Sequence, residues 1–261
     1  MRLKFGESIV DPYRFRLGEL SCSTHTIAQL LDEVRTLLAD KTLQPRTILC
    51  VNAHIYNLAW SDAELRQTLN EARILAADGM GIVAAARLFG ETVPERCNMT
   101  EAFRAFLQAD HMPDSIGVLV GLTEEGGQLA AIAAERMSSH CSIVQVISGH
   151  LDNAEYERAF AAHTDADFIF IGMGTPRTER ISEIARAICP EAVVWGIGGG
   201  TIKIFAGVMR EAPALLRRNG LQWLHRLWSE PARLWRRYLI GNPLFVYRIL
   251  KVAWRTRGIR R

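Results

Sequence analysis

The stretch FIFIGMGTPRTERISEIARAI, residues 168–188, holds the plan of the fold in miniature. Four consecutive apolar residues lead into Gly172-Met173-Gly174-Thr175-Pro176, and beyond it Ile181, Ile184, Ala185 and Ile188 recur at intervals of three and four. A short continuous apolar run predicts a strand covered on both faces, and spacing of three and four predicts a helix with one buried side. The same unit recurs along the chain. Apolar runs stand at 47–51 (TILCV), 74–77 (ILAA), 116–120 (IGVLV), 143–147 (IVQVI) and 192–197 (AVVWGI), and helical spacing occupies 26–39, 62–72, 81–88, 100–109, 124–139, 154–162 and 176–188. Such alternation predicts an α/β fold, a Rossmann-like, mostly parallel sheet with helices on both faces. Ligands of open sheets of this kind sit at the carboxyl ends of the strands, which is where chemistry is to be sought.

Composition sets the outer bounds. The chain has 261 residues, 49% apolar and 23% charged, which excludes a disordered or low-complexity polymer. Five scattered cysteines without a C-x-x-C pair argue against a disulfide framework or a zinc ribbon and fit a reducing, cytoplasmic compartment. The first residues, MRLKFGE, lack the apolar core of a signal peptide, and no run nears the ~18 apolar residues that span a bilayer, so membrane contact is expected to be peripheral. The net charge of +3 divides unevenly. Residues 210–261 hold 13 Lys and Arg against 2 Asp and Glu, a net of +11, and residues 1–209 hold 18 against 26, a net of −8. Two parts are expected, a catalytic α/β domain over 1–209 and a basic, Trp-rich helical appendage over 210–261.

Glycine-bearing turns follow the strands. Asp78-Gly79-Met80-Gly81, Gly121-Leu122-Thr123, Gly172 to Pro176 and Gly198-Gly199-Gly200-Thr201 offer bare backbone N–H groups that suit an anionic, phosphate-bearing ligand; relief of crowding at tight turns explains them equally well. No G-x-x-x-x-G-K-[ST] or G-x-G-x-x-G is present, so neither a nucleoside-triphosphate loop nor a dinucleotide fingerprint is indicated. Asp165-Ala166-Asp167 has the D-x-D spacing of a metal site but precedes its strand, which places it at the wrong end of the sheet, and the seven histidines lack ligand spacing. Asn98-Met99-Thr100 matches a glycosylation sequon, without meaning in a cytoplasmic chain. Asp78 is the strongest chemical candidate. Emerging directly from ILAA with glycines beside it, its carboxylate is suited to act as a general base in the cleft, or else to cap the next helix.

From residue 214 onward, Trp223, Trp228, Trp235 and Trp254, four of the chain's six tryptophans, are interleaved with Leu and Arg. Pro231 and Gly241-Asn242-Pro243 divide this segment into three short amphipathic helices, one ending before Pro231 and the last running from 244 to about 254. Arg beside Trp and Leu is the composition of an interfacial helix on anionic lipid. Nucleic acid is the rival partner, and a hairpin that closes on the body is the structural alternative. So apolar a tail also makes self-association plausible.

With these residues in view, the sequence resembles the WecG/TagA/CpsF family of glycosyltransferases, which move a sugar from a UDP-sugar to an undecaprenyl-diphosphate-linked acceptor sugar at the inner leaflet. The matching stretches are Val51-Asn52, Ala77 to Gly81, Pro94-Glu95-Arg96, Gly172 to Pro176, Gly196 to Gly199, Ala212-Pro213 and, most specifically, 220–227 (GLQWLHRL) through 230–238 (EPARLWRRY). The resemblance implies inversion by direct displacement, with Asp78 as general base and no metal or other cofactor. It implies a donor site at Asn52, Gly79, Gly121, Gly172, Gly174, Pro176, Gly198 and Gly199, with Arg96 and Thr100 toward the acceptor. Arg226, Arg233 and Arg236 would grip the lipid diphosphate, the spacing of seven and three placing them on one helical side. The partners implied are a UDP-sugar, a polyprenyl-diphosphate acceptor and the cytoplasmic face of the inner membrane, without nucleic acid.

The sequence departs from the family pattern at several places. Cys50 stands where Thr is usual, Thr178 where Gln precedes the Glu of the glycine motif, and Met99 and Glu101 replace a Gly and an Asp; a Phe-Asp is replaced around Thr201-Ile202-Lys203. These positions are expected to line the sugar pocket and leave the donor open among N-acetylmannosamine, its uronic acid, a hexose and glucuronic acid. A non-catalytic lipid- or polyanion-binding module and a nicotinamide-dependent enzyme are the competing classes.

Overall fold

The computed structural model describes residues 13–259; the amino-terminal stretch read for a signal peptide lies outside them, as do Arg260 and Arg261. The chain opens with a hairpin, β1 (Arg14–Leu17) and β2 (Leu20–Ser23), and then alternates: α1 (Ile27–Ala39), β3 (Thr47–Val51), α2 (Ala53–Ser61), α3 (Ala63–Glu71), β4 (Ile74–Ala77), α4 (Met80–Leu88), α5 (Met99–Leu107), β5 (Ser115–Val120), α6 (Glu124–Glu135), β6 (Cys141–Ile147), α7 (Asn153–Ala161), β7 (Phe168–Ile171), α8 (Arg177–Ile188), β8 (Val193–Gly196) and α9 (Gly199–Phe205). The described strands form one eight-stranded sheet in the order β1-β2-β4-β3-β8-β7-β5-β6, parallel throughout except for the β1–β2 pair. The alternating α/β reading therefore holds. Strands β4, β7 and β8 are buried at every position, as continuous apolar runs require, and β6, at the edge, is partly exposed.

Helices α1, α5, α6 and α9 pack with one another on one face, and α2, α3, α7 and α8 cover the other. Phe103, Phe106, Phe168, Phe170 and Trp195 form an aromatic cluster beneath α5. On the opposite face Tyr156 and Phe160 of α7 seal the core against α8. The neighbours β3 and β8 therefore lead to opposite faces, β3 into α2 and β8 into α9. This leaves a crevice at their carboxyl ends, the topological switch point at which open sheets bind ligands. Asp165 and Asp167 lie at the far end, where the Asp167 carboxylate accepts from the Ile116 N–H and pairs with Lys41 at 3.3 Å.

Three elements lacked a strong signal. The β1–β2 hairpin is only four residues a side, betrayed by Phe15 and Leu17 pointing inward and by Gly18 at φ +62° in the turn. Helix α2 starts immediately at Asn52, whose side-chain oxygen accepts from the N–H groups of His54 and Ile55. Helix α9 starts within the fourth glycine turn, at Gly199.

The segment beyond residue 210 forms α10 (Ala214–Arg218), α11 (Gln222–Ser229), α12 (Pro231–Trp235) and α13 (Gly241–Ile259), with a π-helical turn over Arg236–Ile240 joining the last two. The break expected at Gly241-Asn242-Pro243 does not occur. Proline removes one i→i−4 donor, and the wider π turn just before Pro243 takes up the misfit so that the helical path continues. This long element lies on the body. Phe245 and Ile249 are buried in the core beside α2 and α4, the Phe245 ring meets Tyr56 edge-on at 5.2 Å, and Arg248 donates to the Asn57 carbonyl at 2.7 Å. Glu211 anchors the start of the segment through Arg104 and Arg217. Among the described residues no helix is long and apolar enough to cross a membrane.

Candidate active site

Two cavities meet over the carboxyl ends of the strands. The larger, about 580 Å³, lies in the switch-point crevice and is walled by the ends of β3, β5, β7 and β8: Cys50, Leu122, Gly172 to Thr175 and Gly196 to Thr201. The second, about 450 Å³, runs between α4 and α13. Asn52, His54, Asp78, Asn98, Arg226, Arg237 and Tyr238 border both. The junction is thus a carboxylate facing guanidinium groups.

Asp78 follows β4 directly, with its own N–H bonded to the Val51 and Ala76 carbonyls. The helix-cap alternative is not realised: the N-cap of α4 is Gly79, at φ +133°, and the Asp78 side chain reaches elsewhere. Its Oδ1 accepts from the Asn98 amide at 2.9 Å, and the Asn98 oxygen in turn caps α5 through the Glu101 N–H. Burial raises the Asp78 pKa, opposed by the Asn98 hydrogen bond and the charges of Arg226, Arg96 and Arg237. A carboxylate so placed accepts a proton more readily than a free one. Beside it, burial and the Arg237 charge push the His54 pKa down to about 4, so its ring is neutral at physiological pH.

The residues singled out in the sequence separate into groups. Asn52, Gly172, Gly174, Gly198, Gly199 and Thr100 line the larger cavity; Gly79 and Arg96 line the other. Gly174 and Gly198 adopt φ of +86° and +83°, and a Cβ on either would meet only open space, so backbone conformation demands glycine there. Gly121 borders neither cavity: a Cβ there would stand 2.6 Å from the Gly172 carbonyl, so its need is close packing of two strand ends. Pro176 sits at the start of α8, outside both cavities, facing α3. The Thr100 hydroxyl meets that of Thr201 at 2.9 Å, and Arg96 pairs with Glu101 at 3.2 Å. Of the departures from the family pattern, Cys50, Met99, Thr178, Thr201 and Lys203 line the larger cavity, whereas Glu101 holds Arg96.

The tail arginines are sorted by the helical path. Arg226 borders both cavities and lies over Gly200, where a Cβ would approach its guanidinium within 3.0 Å. Arg233 borders only the larger cavity and is paired with Glu230. Arg236 borders neither; it is exposed, with its guanidinium 5.2 Å from the Trp235 ring centroid. Arg237 takes the inward place instead. Its buried Nε has no hydrogen-bond partner, and burial, with Arg226 and Arg233 nearby, lowers its pKa. Sequence reading passed over Arg237, although its spacing of four from Arg233 was a usable signal. It also missed Asn98, His54 and Glu179. The last is a buried carboxyl on the wall of the larger cavity, raised in pKa by burial, with one oxygen accepting from Thr175 at 2.8 Å and the other unpartnered.

Residues 15–259 match the Glycosyl transferase WecG/TagA/CpsF family, and the chain belongs to that family of glycosyltransferases. Among its relatives are proteins of Staphylococcus aureus strains MRSA252, MW2 and NCTC 8325 / PS 47, each named N-acetylglucosaminyldiphosphoundecaprenol N-acetyl-beta-D-mannosaminyltransferase. Each is 26% identical over 227 residues, covering 87% of this chain and 88% of the relative. Family membership sets aside the nicotinamide-dependent reading.

The burial around His54 has a direct consequence. Its ring resonances should titrate near pH 4 and stay unchanged between pH 6 and 8 in NMR spectra; a midpoint near 6.5 would contradict the packing described.

Proposed function

We propose that this chain is an inverting glycosyltransferase that moves a sugar from a UDP-sugar to a hydroxyl of an undecaprenyl-diphosphate-linked acceptor sugar, in cell-surface polysaccharide synthesis. The observation that carries the reading is the place of Asp78, on the wall common to the two cavities. The larger cavity, walled by glycine turns with exposed backbone, takes the UDP-sugar, and the cavity between α4 and α13 takes the acceptor. The relatives' names make GlcNAc-diphosphoundecaprenol the acceptor and N-acetylmannosamine the sugar to be tried first, and the proposed donor is its UDP derivative.

In this mechanism the acceptor hydroxyl oxygen attacks the anomeric carbon as the bond from that carbon to the UDP oxygen breaks. The hydroxyl proton passes to Asp78, UDP departs with the bonding electron pair, and the configuration inverts. Asn98 holds one carboxylate oxygen and so orients the other. Charge growing on the departing diphosphate is met by Arg226 and Arg237, with Arg233 on the donor side, and guanidinium forks suit phosphate oxygens. Arg96, fixed by Glu101, approaches the acceptor side. Neutral His54 can accept a hydrogen bond from a substrate hydroxyl without adding charge.

The two-part division near residue 210 is kept as part of the proposal, with the body supplying the donor site and the tail meeting the membrane. Its outer face carries exposed Leu224, Trp228, Trp235, Leu239, Ile240 and Trp254, together with exposed Arg236. Apolar side chains beside a cation suit the interface of an anionic leaflet, which supports a peripheral position at the cytoplasmic face.

Asp78→Asn should lower kcat by about 10²–10⁴-fold in a transfer assay with UDP-N-acetylmannosamine, while UDP still raises the melting temperature. Wild-type rates in the variant would remove Asp78 from the role of base. Arg237→Gln should reduce kcat/KM at least about tenfold and Arg236→Gln far less, as expected for loss of a charged hydrogen-bond donor at one site only; the reverse order would contradict the assignment.

A further inference from the structure

The cavity on the acceptor side has an unusual wall. Gly81, Ala84, Ala85 and Leu88 recur along α4 at intervals of three and four and so share one face. Opposite them stand Phe245, Val246, Ile249 and Leu250, the matching face of α13. Two apolar helix faces that look at each other normally close into a packed interface. Here they close only at the inner end, where a Cβ on Gly81 would meet the Phe245 ring at 3.4 Å, and the space between them stays open. Leu88, Val246 and Leu250 are 41%, 52% and 55% exposed along its rim.

The inner end of the same space is charged, bordered by Arg96, Arg226 and Arg237. An occupant must therefore carry an anionic head and an apolar chain. Along α13 the stretch from Asn242 to Leu250 spans about 12 Å at 1.5 Å per residue, enough for a few isoprene units in extended form. We infer that the cleft between α4 and α13 binds the first isoprene units of the acceptor lipid, drawing that part of the chain out of the bilayer while its diphosphate sits beside Arg96, which borders this cavity alone, and Arg226 and Arg237 face the UDP. This rests on the glycosyl-transfer reading above and adds to it a lipid-chain subsite. It makes the enzyme a reader of the lipid as well as of the sugar: acceptors with short alkyl tails lack the apolar contact and lose binding in proportion to the missing area.

The test compares two GlcNAc-diphosphate acceptors, one with a butyl tail and one with a farnesyl tail, below their critical micelle concentrations and without membranes. With the wild-type chain, kcat/KM should be at least about tenfold higher for the farnesyl acceptor. Ala84→Phe, which fills the cleft from an exposed position, should bring the ratio of the two values to about one. Leu250→Asn, on the exposed rim of α13, should lower the ratio partway, and circular dichroism checks that both variants fold. A wild-type ratio near one, or a full farnesyl preference in Ala84→Phe, would overturn the subsite. So would a wild-type dimer in light scattering that Ala84→Phe dissociates, since a second copy would then be the occupant. Absence of transfer to either acceptor by the wild-type chain, with every donor tried, would instead overturn the functional reading on which the subsite rests.

Discussion

Adjacent parallel strands that send their chains to opposite faces cannot both be covered at the same end. At β3 and β8 this constraint leaves strand ends and glycine turns uncovered by the helices of the sheet's two faces, with the Asp78 carboxylate beside them at the end of β4. The rest of the molecule is arranged around that opening. Helix α13 is seated on α2 by the Phe245–Tyr56 contact and the Arg248–Asn57 hydrogen bond. Because α13 is fixed there, the π turn and α11 hang over the crevice, and Arg226 and Arg237 come to face Asp78. A site is thus completed by residues some 150 positions away in the sequence from the aspartate it serves.

Electrostatics follow the same division. Residues 1–209 carry a net −8 and residues 210–261 a net +11, and the two meet at the crevice. Part of the basic charge is neutralised by pairing: Arg217 with Glu211, and Arg233 with Glu230. No ion pair joins Arg226 or Arg237 to a carboxylate among the described contacts, and both border the two cavities. Bringing guanidinium groups together away from water costs free energy, which an incoming diphosphate offsets. Arg237 meets this cost most directly, since its Nε is buried without a partner.

Much of the fold was legible because burial on both faces writes a plain signal. FIFI, ILAA and TILCV read as interior strands, and their order with the helices between them implied the parallel sheet. The β1–β2 hairpin was not legible, being short and mixing Arg with Phe on alternate residues. The tail misled at Gly241-Asn242-Pro243, because breakers in sequence do not reveal that a π turn nearby accommodates them. In the site, Asp78 and the glycine turns were visible from their places after strands. Arg237 was not separated from Arg236, because which of two adjacent arginines points inward depends on the local helical twist, and the π turn rotates the pair. Asn98 was hidden for another reason: its service to Asp78 joins residues 20 apart through a tertiary contact.

The central claim is that the crevice beside β3 and β8 holds the nucleotide, with Asp78 at its border with the acceptor cavity. A crystal structure of the chain with UDP bound tests it most directly. The account predicts the diphosphate among the Gly172–Gly174 and Gly198–Gly200 turns, within hydrogen-bond reach of the Arg226 or Arg237 guanidinium. UDP lodged between α4 and α13, or at the end of the sheet that carries Asp167, would contradict it.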